Sequence, residues 1–166
     1  MKVYSISSRP EFWDDILVIF FETSNKTNFS CDKVKEEFIY KYLGYYKEKH
    51  PDLFLIATIN DKVVGYICGS SDSKSDIELY SLLSHYKLFS DYFVLFPAHL
   101  HINISKSAQG LGLGSLLLKE FELKCKKPVH LITSPDALNR KFYRKNNYLF
   151  ESIRTHQKHD LLFMGK

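Results

Sequence analysis

The chain has 166 residues, enough for one domain with a buried core, and its 45% hydrophobic and 25% charged residues are ordinary for a globular protein. Its net charge of +4 is spread among acidic neighbours, as in "KVKEEF" and "KEFELKCKK", which argues against the concentrated basic face of a nucleic-acid binder. Cys31, Cys68 and Cys125 are odd in number and widely separated, so neither a metal site nor a disulfide framework is expected.

The N-terminal "MKVYSISSRPEFWDD" carries charges where a signal peptide needs an apolar core, and a reduced cytoplasmic protein is the expectation. "VYSIS" (3–7) alternates as a strand does. Pro10 then opens a segment with apolar residues at Phe12, Trp13, Ile16, Leu17, Ile19 and Phe20, at helical spacing. Its run "ILVIFF" (16–21) is too short to span a bilayer. Residues 32–49 read as a second helix, with Asp32 as N-cap, a stripe through Val34, Phe38, Tyr42, Leu43, Tyr45 and Tyr46, and Pro51 closing it.

"LFLIATI" (53–59), "NDK" and "VVGYICG" (63–69) read as a hairpin whose turn contains Asn-Asp. Residues 70–92 are consistent with either a short helix or an irregular excursion. "AHLHINI" (98–104) is a strand, residues 113–126 a helix with Leu113, Leu116, Leu117, Phe121 and Leu123 inward, and "VHLIT" (129–133) a strand. Ser134 with Pro135 behind it predicts a capped helix running to about Asn146 or Asn147. "YLFESIR" and "DLLFMGK" close the chain as two strands. The order predicts one α/β domain over residues 1–166, a mixed sheet flanked by helices.

Between the strand at 98–104 and the helix at 113 lies "SKSAQGLGLGS", with Gly110, Gly112 and Gly114 at alternate positions. A strand that passes through such a turn into a helix suits an anion site, the other reading being a tight turn with close helix–sheet packing. The first helical turn has N–H groups without intrahelical partners and a partial positive charge, and glycines let a phosphate approach them. The run lacks the Gly-Lys-Ser/Thr ending of a Walker loop, and it fails the G-x-G-x-x-G dinucleotide pattern. What it does contain is Gln-x-x-Gly-x-Gly, at Gln109, Gly112 and Gly114.

On these residues "INISKSAQGLGLGSLLL" resembles the acetyl-CoA pyrophosphate loop of the GNAT superfamily of N-acetyltransferases, and "SPDALNRKFYRKNNY" is similar to that family's helix with a Phe-Tyr pair. "GYICGSSDS" and "FPAHLHINI" look closest to the bacterial subgroup akin to the acetyltransferase-like domain of O-GlcNAc hydrolases. The resemblance implies a mixed, mostly antiparallel sheet of about seven strands with about four helices, and acetyl-CoA or coenzyme A as co-substrate. The backbone of Ile102, Asn103 and Ile104 would pair with the pantetheine arm, and Gln109, Gly110, Leu111, Gly112, Leu113, Gly114 and Ser115 would hold the pyrophosphate. Tyr143 would protonate the departing thiolate, with Phe142 beside the cofactor. The family commonly has Asn seven residues before that Tyr; this chain has Asp136 there and Asn139 four before it, so Asn139 is the candidate cofactor contact.

Amine chemistry sets a further requirement. A lysine-like amine with pKa near 10.4 is neutral in about one molecule in 2,500 at pH 7, so deprotonation costs about 4.6 kcal/mol. His99 and His101, two apart on one strand face, are the candidate bases, with Glu78 and Asp136 behind them; the same "HLH" pattern also suits satisfied structural histidines. The expected reaction is direct acetyl transfer to a primary amine, on a small molecule or peptide, without nucleic acid, membrane or metal. The alternative is a catalytically inactive CoA-binding module. The family often dimerises, so a homodimer is compatible with the resemblance.

Overall fold

The computed structural model describes residues 1–136 and 138–166. Seven strands, β1 (Lys2–Ser5), β2 (Leu55–Ile59), β3 (Lys62–Ser70), β4 (Ala98–Ile104), β5 (Val129–Thr133), β6 (Phe150–His156) and β7 (His159–Gly165), form a mostly antiparallel sheet in the order β1-β2-β3-β4-β5-β7-β6. The chain divides into two compact units: Met1–Gly69 with His101–Lys124, and Ser70–Leu100 with Cys125–Lys166.

In the first unit β1 pairs antiparallel with β2, and β2 with β3. Asn60 and Asp61 both adopt positive φ (50° and 59°), which suits the right-handed twist of a two-residue hairpin, and a register shift opposite Ala57/Thr58 leaves Val64 of β3 as the extra residue of a bulge. Helix α1 (Trp13–Thr23) starts three residues after Pro10, because Pro10–Phe12 form a 3-10 turn ahead of it. Ile16, Ile19 and Phe20 are its buried face.

The second helical segment is not continuous: α2 (Asp32–Ile39) runs through a π turn (Tyr40–Gly44) into α3 (Tyr45–Lys49). A Cβ on Gly44 would lie 2.9 Å from Tyr40 Cδ2, so the wider turn holds the tyrosine ring against a glycine. The predicted cap also moves. Cys31 is the N-cap, without a side-chain bond, and Asp32 is the first helical residue, where its charge still favours the dipole.

In the second unit residues 70–97 hold a short helix, α4 (Ile77–Leu82), and a 3-10 segment (Tyr86–Val94) that buries Tyr86, Phe89 and Phe93. The first residues of β4 run parallel to β5, Ala98 beside Val129 and His99 beside His130. β7 then pairs antiparallel with both β5 and β6. Six α-helices stand where about four were expected, because the π turn splits one and α4 adds another.

Helix α6 (Ala137–Lys145) is capped by Asp136, not by the predicted Ser134. The Asp136 carboxylate accepts from the N–H groups of Leu138 and Asn139 at 3.1 and 3.0 Å, and Ser134 Oγ bonds that carboxylate at 2.5 Å. A carboxylate carries the full negative charge that a hydroxyl lacks, so it is the better match for the helix N-terminus.

Glu151 of β6 ties α6 down by accepting from Arg140 Nε at 2.9 Å and Arg144 Nε at 2.6 Å. The two guanidinium groups hold its carboxyl at about 2, below the usual carboxylate range. A depressed carboxylate stabilises the fold above its unfolded pKa, and that increment is lost as pH falls through about 4.5 toward 2. Glu151→Gln is therefore expected to lower the melting temperature by about 2–4 °C at pH 7, and the gap should close by pH 2 in thermal melts.

Candidate active site

In the first unit β4 ends at Ile104, and Ser105 N–H bonds Val64 O at 2.9 Å, turning the chain out of the sheet. Gly65 allows that close approach: a Cβ there would lie 2.5 Å from Ile104 Cδ1 and 3.0 Å from the Asn103 carbonyl oxygen. A 3-10 turn, Lys106–Ala108, follows, with Lys106 N–H donating to Glu22 Oε2 at 3.2 Å. Gln109 Nε2 then reaches back to Ile104 O at 3.2 Å, so the glutamine fixes the base of the loop.

Gly110 and Gly112 both sit at φ +81°, in the left-handed region. Helix α5 (Leu113–Cys125) begins immediately after, its first bond running from Leu116 N–H to Gly112 O at 3.1 Å. The amides of Leu113, Gly114 and Ser115 therefore stand in the first turn, where helical N–H groups have no intrahelical partner. A Cβ on Gly110 or Gly112 would meet no atom within 4 Å. Packing within the protein does not demand these glycines; the backbone conformation does. Leu111 points outward, 66% exposed, while Leu113 is buried in the core.

Ile102, Asn103 and Ile104 are each half-buried on β4. His101 precedes them in an aromatic surround of Phe20, Tyr42 and Tyr66, with ring centroids 6.3, 5.9 and 6.0 Å away. Burial pushes its imidazolium down to about 4. Its Nε2 lies 3.4 Å from Tyr66 Oη and 3.3 Å from Asn103 Nδ2. The Asn103 side chain and Tyr66 had no motif to announce them; their partnership links residues 37 positions apart.

The second unit places Tyr143 on α6, buried, with Phe142 edge-on at 5.0 Å and Tyr148 at 5.9 Å. Burial, followed by the charge of Asp136, pushes its phenol well above the usual tyrosine range, so it keeps its proton at neutral pH. Asn139 spends its side chain locally, donating to Asp136 Oδ2 at 3.0 Å and to Thr133 Oγ1 at 3.3 Å. Asp136 is the helix cap, and Glu78 is exposed in the first turn of α4.

His99 also belongs to this unit. It is buried, with Nδ1 3.2 Å from Ser73 Oγ, while Tyr86 Oη donates to the same serine oxygen at 3.1 Å. The two histidines of "HLH" thus have separate surroundings: a hydroxyl relay around His99, and an aromatic wall around His101. Among the described residues no group of three or more His, Cys, Asp or Glu is placed to hold a metal ion, and no helix is long and apolar enough to cross a membrane.

The mostly antiparallel seven-stranded sheet with its helices is an acetyltransferase-type α/β fold, and the sequence comparison agrees. The model of the acetyltransferase (GNAT) family matches residues 13–148, and the chain belongs to this family of acetyltransferases. No curated protein matches the chain. Among solved structures it is similar to SsHAT (19% identity, TM-score 0.76, covering 99% of this chain and 96% of that one). It is also similar to Ard1 from Thermoplasma volcanium (17%, TM-score 0.64, 99% and 95%). A third is Naa20 from Chaetomium thermophilum, crystallised with a bisubstrate analogue (18%, TM-score 0.59, 100% and 86%). At these identities the likeness is one of fold.

Proposed function

We propose that the chain is a single acetyltransferase domain that moves the acetyl group of acetyl-CoA directly to a primary amine of a small molecule or peptide. The observation that carries this is the pair of left-handed glycines, Gly110 and Gly112, just ahead of α5, with open space where a Cβ on either would stand. The residues fit a pyrophosphate: amides without helical partners, a positive helix end, and no Cβ in the way. The strand backbone at Ile102, Asn103 and Ile104 is the element for the pantetheine arm, and Tyr143 the proton donor to the departing thiolate, with Phe142 beside it. Asn139, engaged in the α6 cap, would reach the cofactor only by giving up a bond to Asp136 or Thr133.

Within the family we place the chain nearest the subgroup resembling the O-GlcNAc hydrolase-associated domain, on "GYICGSSDS" and "FPAHLHINI" alone. Three free cysteines suit a reduced, cytoplasmic setting. Calorimetric titration with acetyl-CoA, followed by an acetyl-transfer assay over a panel of amines, tests the reading. Binding with no turnover on any amine would favour an inactive CoA-binding module, and no binding at all would end the proposal.

An imidazole base is not part of this reading. At a pKa of about 4, His101 would take a proton from an ammonium of pKa near 10.4 only at a cost of about 9 kcal/mol. His99 is buried behind Ser73 and Tyr86. The amine therefore arrives neutral or loses its proton to water. The expected pH–rate profile rises about tenfold per unit from pH 6 to 8 with the neutral amine fraction. His101→Ala should keep that slope whatever it does to the absolute rate; a flattened profile would restore the histidine as base.

A further inference from the structure

Tyr66, His101 and Asn103 form a small polar network inside the aromatic wall of the first unit. Asn103 Nδ2 donates to Tyr66 Oη at 2.7 Å and stands 3.3 Å from His101 Nε2. Tyr66 Oη is 3.4 Å from the same nitrogen. A phenol oxygen that accepts from an amide must place its own proton elsewhere, and Nε2 is its other neighbour in the network. Burial, then the nearby Cys68, raises the Tyr66 phenol well above its ordinary range, so it has that proton to give.

Both groups facing Nε2 are thus donors, which requires a bare lone pair there. A neutral imidazole with a bare Nε2 carries its proton on Nδ1. Among the described residues Nδ1 has no hydrogen-bond partner. The elements around it contribute Phe20 from α1, Tyr42 from the π turn and Tyr66 from β3, so the titratable groups facing the ring are the two phenols.

We propose that Tyr66 and Asn103 are positioning residues that hold neutral His101 as its Nδ1–H tautomer, so that β4 presents a hydrogen-bond donor there and not a base. This deepens the transferase reading, and rests on it for the use made of the donor.

Nitrogen NMR of the 166-residue chain with labelled histidine tests the tautomer without any acceptor, with the His101 signals assigned by their loss in His101→Gln. In the native protein Nε2 should resonate far downfield of Nδ1, as an unprotonated ring nitrogen, and stay there from pH 5.5 to 8. Asn103→Asp replaces a donor by a group that only accepts, so Nε2 should gain a proton and the order of the two signals reverse. Tyr66→Phe removes one of the two donors and should give a mixture of tautomers. A native Nε2–H pattern, an imidazolium pattern at pH 7, or an unchanged order in Asn103→Asp would each overturn the proposal. Should either variant fail to fold, the native spectrum alone decides. Titrating acetyl-CoA into the same sample separates the two ideas: absence of binding sinks the transferase reading while the tautomer is still read directly.

Discussion

Tyr143→Phe is expected to lower kcat by about 10²–10³-fold while leaving acetyl-CoA affinity within about twofold. The magnitude follows from what this phenol can do. Burial and the charge of Asp136 raise it well above the ordinary tyrosine range, whereas a free thiol ionises near 8.5. Complete proton transfer to the thiolate early in the reaction is therefore uphill. On the proposed reading Tyr143 would act first as a hydrogen bond to sulfur as negative charge develops, an interaction worth about 3–4 kcal/mol where water is excluded. Phenylalanine keeps the ring contacts with Phe142 and Tyr148, so α6 should retain its seat. Because the phenol stays protonated, the native enzyme should show no loss of rate from tyrosine ionisation up to pH 10. Steady-state rates with the best amine of the panel, alongside calorimetry, check both halves. A kcat within threefold of native would remove Tyr143 from the chemistry.

The parts of the fold written in local pattern were legible. Asn60-Asp61 between two β-rich runs gave a turn that both residues enter with positive φ, and the strand–glycine–helix order of 98–125 is built as the spacing demands. Where two local signals competed, the stronger electrostatics won: Asp136 displaced Ser134 as the cap of α6, although the Ser-Pro pair has the familiar look of a helix start. The stripe at 32–49 carried helical periodicity throughout, but periodicity does not register the extra residue of a π turn, which depends on Tyr40 lying against Gly44. The candidate site divides the same way. Gln109 and the glycines announce themselves in a motif. Tyr66 and Asn103 act through contacts across strands, and the environment that makes His101 a poor base exists only once Phe20, Tyr42 and Tyr66 surround it.

Gly112→Trp is expected to abolish measurable binding of both acetyl-CoA and CoA, a loss of at least about 100-fold. Two costs have to be separated. Any L-residue at φ +81° meets the left-handed penalty of about 1–2 kcal/mol, which bounds the effect of strain at roughly 5–30-fold. A side chain at this position also stands immediately before the first turn of α5, whose amides are those of Leu113, Gly114 and Ser115. Gly112→Ala pays the strain and adds only a methyl to space that is empty within the protein, so its loss should stay within the strain bound. Tryptophan pays the same strain and covers the amides. A steep drop from Ala to Trp thus means that the ligand comes to the helix end, whereas equal losses would mean that the glycine serves the backbone alone. Gly110, with the same φ and the same empty surroundings, provides the matched pair: its Ala variant should match Gly112→Ala. Full-strength binding in Gly112→Trp would leave the loop a tight turn and send the search for the cofactor elsewhere.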